Sequence, residues 1–137
     1  MMSKRCKYAL KALTRLGKEF GKSPGTVSTP DIAKEERIPK KFLEQILLEL
    51  KKYGLVDSRA GANGGYYLLK PPAYISLIEV LRLVDGPVAL LPCVSLKFYK
   101  PCDDCPDEAA CKMREVFTQV RQRDVELLAD LTIESLM

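Results

Sequence analysis

Apolar residues recur at helical spacing from early in the chain. Tyr8, Leu10, Ala12, Leu13, Leu16 and Phe20 mark one side of an amphipathic helix over residues 8–20, and Gly21 is its stop signal. Residues 21–28 read as a loop because they hold Pro24 and Gly25. Thr29-Pro30 then reads as an N-cap with proline in the first helical position, opening a short helix over about 30–36. Ile38-Pro39 restarts the chain, and Phe42, Leu43, Ile46, Leu47 and Leu50 form a strong apolar stripe that ends near Gly54. Two helices with a tight connection, the second longer, are the outline of a helix-turn-helix.

Beyond Gly54 the elements shorten. Residues 55–58 and 66–69 are strand candidates, and Gly61-Ala62-Asn63-Gly64-Gly65 between them is a turn, so the pair reads as a hairpin wing. Pro71-Pro72 breaks it. Ser76-Leu77-Ile78-Glu79 has the spacing of a capping box, opening a helix that carries Leu77, Val80, Leu81 and Val84 to Gly86-Pro87. Residues 88–106 contain three prolines and no clear period, and a loop of that length in a small domain tends to be functional or disordered. From about residue 107 to 137 one long helical pattern carries Met113, Val116, Phe117, Val120, Leu127, Leu128 and Leu131, interrupted by Asp124. A helix of that length cannot hide its stripe against so small a domain, so a second copy of the chain is the expected cover. The expected fold is mainly α with a small β-hairpin wing. It divides into a winged helix-turn-helix over 1–86, a cysteine-rich loop over 87–106 and a dimerisation helix over 107–137.

Length and composition narrow the class. At 137 residues, 47% of them apolar and 29% charged, the chain suits one folded unit with an appendage and is too apolar for a disordered one. Lys7, Lys11, Arg15 and Lys18 interrupt any apolar stretch that could make the basic start a signal peptide, and no run approaches the roughly 20 apolar residues of a membrane span. A soluble, cytoplasmic protein is expected. The net charge of +4 conceals an asymmetry: residues 1–72 hold 15 Lys or Arg against 7 Asp or Glu, and residues 73–137 hold 7 against 11. The first half is therefore +8 and the second −4. A basic module with an acidic appendage suits a nucleic-acid partner, because phosphate neutralisation supplies the sequence-independent part of DNA affinity.

A helix that enters the major groove needs polar side chains outside its apolar stripe. The helix over 39–52 offers Lys40, Lys41, Glu44 and Gln45 there, with the two lysines at the end where a recognition helix meets bases or phosphates. Lys51 and Lys52 are placed for phosphate, and Arg59 at the base of the wing for a minor groove.

Four of the five cysteines, Cys93, Cys102, Cys105 and Cys111, lie in the long loop or at its junction with the last helix. Cys102-x-x-Cys105 is a common chelate spacing, and Cys93 and Cys111 can close a four-thiolate site from either side. The chain has no histidine, which excludes a His-ligated zinc or Rieske-type centre within one chain. Thiolate-only sites take zinc or iron-sulfur clusters, and spacing does not separate these from each other or from a reactive thiol pair. Cys6, in the basic first helix, reads as a plain buried cysteine.

These segments together resemble a known family. Tyr8-Ala9-Leu10-Lys11-Ala12-Leu13, the run Ile38-Pro39-Lys40-Lys41-Phe42-Leu43-Glu44-Gln45-Ile46-Leu47, Gly64-Gly65-Tyr66 and the helix over 76–86 are similar to the Rrf2 family of winged-helix bacterial regulators, which includes iron-sulfur-sensing, nitric-oxide-sensing and cysteine-metabolism repressors. The resemblance implies a homodimer on a pseudo-palindromic double-stranded operator. It also implies an iron-sulfur cluster, of [2Fe-2S] or [4Fe-4S] type, held by three cysteines of this loop and a variable fourth ligand. Arg114 and Lys7 align with the fourth-ligand positions and cannot serve. On that alignment Cys93, Cys105 and Cys111 match the family's three cysteines, and Cys102 fills the vacancy. The family often carries Ser-x-Arg-Gly before the wing glycines, where this chain has Ala60 in the place of that Arg and Arg59 beside it.

The implied function is a DNA-binding transcriptional regulator, acting as a repressor, whose operator binding is controlled by the cluster. Zinc as a structural staple and a thiol redox switch are the alternatives within that class. An iron-sulfur electron carrier is the alternative outside it, and it leaves the basic helix-turn-helix unexplained. No nucleotide-binding glycine motif or paired-carboxylate pocket signals an enzyme.

Overall fold

A computed structural model describes residues 2–137. In chain order the elements are α1 (Lys4–Glu19), α2 (Thr29–Glu36), α3 (Lys40–Lys52), β1 (Val56–Arg59), β2 (Gly65–Leu68), α4 (Leu77–Val84) and α5 (Lys112–Asp130), with short 3-10 turns at Pro72–Tyr74, Pro92–Val94, Glu108–Ala110 and Ile133–Leu136. This is the mainly helical winged-helix arrangement that the pattern predicts, with differences at the element ends.

The first helix begins a turn earlier than its apolar period suggests, because Ser3 caps it: Ser3 Oγ accepts from the Cys6 backbone N–H at 3.0 Å. Ser28, not Thr29, caps α2, accepting from Asp31 N at 3.3 Å, so Pro30 falls one position further in. Hydroxyls at both positions satisfy the sequence rule equally, and the extended backbone of Ser28 decides between them. The α2–α3 turn is set by Arg37, which adopts the left-handed conformation at φ 54° as Ile38 N–H donates to Ala33 O at 2.9 Å.

One face of each of α1 to α4 meets in a single core, with Leu128 of α5 packed against it. Leu13, Leu16, Ile32, Leu43, Leu47, Leu50, Ile75, Val80 and Ile133 have no measurable exposure. Ala9 and Ala12 let α1 lie close to its neighbours at the centre of the module. Truncating any of these leucines to alanine would remove buried methyl groups and leave a void, at about 2–5 kcal/mol.

The wing is an antiparallel pair in the register Val56↔Leu68 to Arg59↔Gly65, and Val27 adds a separate rung to β2 through reciprocal 2.9 Å bonds with Tyr66. That rung explains Gly65. Its φ is +143°, and a Cβ there would stand 2.5 Å from the Val27 carbonyl, so a side chain would push the wing off the body.

Ser76 caps α4 and accepts from Glu79 N at 3.3 Å. The reciprocal half of the expected capping box is replaced, because the Glu79 carboxylate pairs with Lys70 at 3.2 Å. The last helix differs most from expectation. The segment Glu108–Ala110 is a 3-10 turn preceding α5, and α5 ends at Asp130 instead of running to 137. Leu131 turns to extended backbone, Leu77 N–H donates to Leu131 O at 2.8 Å, and Ile133 N–H donates to Ile75 O at 2.9 Å. Ile133 lies off the helical stripe and is buried in the core beside Gly17, where a Cβ would meet Met137, Pro72 and Ile133 at 3.1–3.5 Å. Burying a β-branched residue and pairing two backbone groups is worth more than extending an exposed helix.

Candidate functional site

The helix-turn-helix places Lys40, Lys41, Glu44 and Gln45 on the exposed face of α3, with Leu43, Ile46, Leu47 and Leu50 behind them. Pro39 supplies no capping side chain, so the first N–H groups of α3 are open beside two lysines. A helix start of that kind suits an anion. Among the described residues no ion pair within 4 Å engages Lys40, Lys41 or Lys52. Other cations of the basic half are committed within the fold: Arg5 pairs with Glu49, Arg15 with Glu19 and Glu35, and Lys11 donates to Glu36 O.

Lys51 and Arg59 are less free than their sequence positions suggest. Lys51 pairs with Asp57 at 3.4 Å and donates to Ser58 Oγ at 3.0 Å. The Ser58 backbone N–H, reinforced by Lys51, holds the Asp57 carboxyl below its ordinary pKa. The Arg59 guanidinium lies 4.6 Å over the Tyr67 ring and donates to Pro24 O at 3.3 Å, clasping the wing to the loop after α1. The alternation of Tyr66 and Tyr67 across β2, facing Arg59 in the opposite strand, was the available sequence signal for that clasp.

The four loop cysteines come together. Cys93, Cys102, Cys105 and Cys111 line one cavity of about 270 Å³, with Leu91, Lys100, Asp103, Met113 and Arg114 among its other walls. Each cysteine arrives differently. Cys93 is buried in the Pro92–Val94 turn, which is held by Arg121 Nε donating to Val94 O at 2.8 Å and by Lys100 N–H donating to Pro92 O at 3.2 Å. Cys111 caps α5, its Sγ accepting from Arg114 N at 3.4 Å. Cys105 stands near Cys111 in the same cavity, and desolvation raises its pKa. Cys102 is exposed at the rim.

Glu108, which also lines the cavity, is held by Tyr99, whose hydroxyl donates to both Glu108 oxygens at 2.7 and 2.8 Å, a bond that raises the phenol pKa. Asp107 is occupied in accepting from Ala109 N at 3.1 Å. The soft, histidine-free donor set and the shared cavity fit an iron-sulfur cluster, whose thiolates stand around a multi-atom core. Among the described residues no three His, Cys, Asp or Glu side chains converge on a single-ion centre.

Cys6 lies apart. It is fully buried in α1, and burial, assisted by Asp85, pushes its thiol up to about 12. No helix among the described residues is long and apolar enough to cross a membrane.

Comparison with known proteins matches this chain over its whole described length. The family model Rrf2, described as an iron-dependent transcriptional regulator, matches residues 2–137. A Rhodobacter capsulatus protein carrying the name of an rrf2-like HTH-type transcriptional regulator is 47% identical, over 100% of this chain and 92% of its own length. The solved structure of CymR, the global cysteine regulator of B. subtilis, superposes with a TM-score of 0.80 at 29% identity, covering 99% of this chain and 95% of that one. T. potens IscR superposes with a TM-score of 0.74 at 26% identity, covering 99% and 85%. These relatives are regulators rather than enzymes. The chain belongs to the Rrf2 family of HTH-type, DNA-binding transcriptional regulators.

Proposed function

We propose that the chain acts as a cytoplasmic, homodimeric repressor whose binding to a pseudo-palindromic operator is controlled by an iron-sulfur cluster held by Cys93, Cys102, Cys105 and Cys111. The observation that carries this reading is the single cavity shared by four thiols in a chain with no histidine. When bound, such a cluster supplies a centre that can be gained, lost or oxidised.

Within this reading residues 1–86 bind DNA, 87–111 form the sensor and α5 holds the dimer. Lys40, Lys41, Glu44 and Gln45 face base edges and phosphates in the major groove, and the open N–H groups at the start of α3 receive a phosphate. Lys51, Lys52 and Arg59 line the flanking backbone and groove, with Lys51 and Arg59 presenting the N–H groups left over from their contacts with Asp57, Ser58 and Pro24. Support for the dimer comes from α5, which buries none of its residues fully and leaves Met113, Val116 and Leu127 exposed along one side.

A thiol redox switch is the second reading, favoured by the proximity of Cys105 and Cys111. Protein purified without oxygen separates the two. A brown sample containing iron and acid-labile sulfide, whose operator affinity changes when the cluster is removed, is the expected result. A colourless sample whose affinity changes only with a thiol oxidant overturns the cluster in favour of the switch. A colourless zinc protein with unchanged affinity overturns both.

A further inference from the structure

Arg114, which α5 contributes to the cavity lining, has a hydrogen-bond donor with no acceptor. Arg114 Nε is shielded from solvent, and among the described side-chain nitrogens and oxygens it is the one buried atom without a partner. Its residue lines the cavity together with Cys93, Cys102, Cys105 and Cys111. The backbone N–H of Arg114 already donates to Cys111 Sγ at 3.4 Å, so this one residue carries two donors.

A guanidinium cannot shed its proton, and an orphaned charged donor in a shielded position is costly. The remedy is an acceptor, and Arg114 borders the cysteine cavity. Asp103 and Glu108 also line the cavity, but Glu108 is engaged by Tyr99 and Asp103 lies in an exposed stretch. The sulfur atoms are the acceptors gathered there. Four cysteines deprotonated together to hold a cluster would repel one another, and a fixed cation beside them would offset that repulsion.

We propose that Arg114 is the positioning residue of the cysteine cavity, holding its Nε–H for a thiolate sulfur and compensating the negative charge of the four-cysteine set. This rests on the cluster reading for its redox consequence, while the charge it places beside the cysteines exists without a cluster. Hydrogen bonds and positive charge at sulfur favour the more negative, reduced form of such a centre. Arg114 therefore raises the potential of the loaded protein. In the apo-protein it draws anions toward Cys105 and Cys111.

The test compares the full chain with Arg114→Gln and Arg114→Lys, with folding checked by circular dichroism. In the apo-protein, alkylation of Cys105 and Cys111 by anionic iodoacetate relative to neutral iodoacetamide is read by peptide mass spectrometry. The expected ratio falls several-fold in Arg114→Gln and returns most of the way in Arg114→Lys. After anaerobic loading with iron and sulfide, the midpoint potential of Arg114→Gln is expected below that of the parent, with Arg114→Lys between them. A folded Arg114→Gln protein with the parent's alkylation ratio overturns the proposal, as does an Arg114→Lys protein no closer to the parent than Arg114→Gln. If neither parent nor variant takes up iron and sulfide, the cluster reading fails, and the alkylation ratios still decide the role of Arg114.

Discussion

Ser3 and Asp85 tie the start of the first helix to the end of the fourth: the Ser3 backbone N–H donates to Asp85 Oδ2 at 2.9 Å, and the Ser3 hydroxyl donates to Asp85 Oδ1. The same hydroxyl accepts from Cys6 N and so caps α1. Asp85 immediately precedes Gly86, where the chain leaves the winged helix for the cysteine loop. Two residues 82 positions apart thus join the central helix of the winged-helix module to the base of the cysteine loop. Replacing Asp85 with Ala leaves a part-buried Ser3 N–H without a partner, and stability should fall by about 1–3 kcal/mol in urea unfolding. An unchanged unfolding midpoint would show that the tie adds nothing.

Cys6 should be inert below the alkaline range. Its thiol, held up to about 12 against an ordinary 9, keeps its proton in the folded chain after the unfolded chain has lost it. The folded state therefore binds the proton more tightly. Stability from this group is complete below about pH 9 and is lost as the pH rises toward about 12. At pH 8 the exposed Cys102 should be alkylated by iodoacetamide well ahead of Cys6 in native protein, and the difference should vanish in denaturant. Equal native rates would contradict the burial of Cys6.

On the DNA side, Lys41→Ala and Gln45→Ala remove exposed α3 side chains that have no part in the core. Operator affinity is expected to drop by about tenfold or more for each, without loss of thermal stability. Lys41→Ala should also flatten the dependence of log affinity on log salt, by about one unit if it neutralises one phosphate. Fluorescence anisotropy over a salt series reads both, and unchanged affinity in both variants would remove α3 as the reading helix.

The dimer prediction needs residues that the fold itself does not use. Phe117 and Leu128 are half-buried, and Leu128 packs against its own core, so a charge at either would damage the monomer as well. Val116 and Leu127 are 55% and 62% exposed. Val116→Glu or Leu127→Glu should leave the fold intact and shift the protein to monomers in light scattering, because a charge would then be buried between subunits. A stable dimer in both variants would place the interface elsewhere.

Single replacement of Cys93, Cys102, Cys105 or Cys111 by Ala should lower cluster content or make the cluster labile, while Cys6→Ala should keep the parent spectrum. Operator binding by the four loop variants should match that of apo-protein, since control is a coupling between two sites. Full, stable loading of Cys102→Ala would move the fourth ligand elsewhere, with Asp103, which lines the same cavity, a carboxylate candidate.

Elements whose burial follows a regular period were legible in the chain itself. The stripes of α1 and α3, the Gly-rich wing turn and the Ser76 cap are local patterns, and each forms within a residue or a turn of its expected place. So is the cysteine spacing, which offers candidate thiolate donors without arranging them. Contacts between distant residues carry no such period. Nothing near Thr132 announces that Ile133 will abandon helical phase, because the gain comes from the backbone of Ile75 and Leu77 and from the space beside Gly17. Likewise Arg59 is free on paper and held by Tyr67 and Pro24 in the fold, and Arg114 is a surface-type residue whose Nε becomes shielded beside four thiols. Local sequence determined which elements exist and which faces turn inward, since propensity and apolar period act over one or two turns. Tertiary packing decided where the last helix stops, which cations remain available to DNA and what surrounds the cysteines, because those outcomes depend on partners that only the folded chain brings within reach.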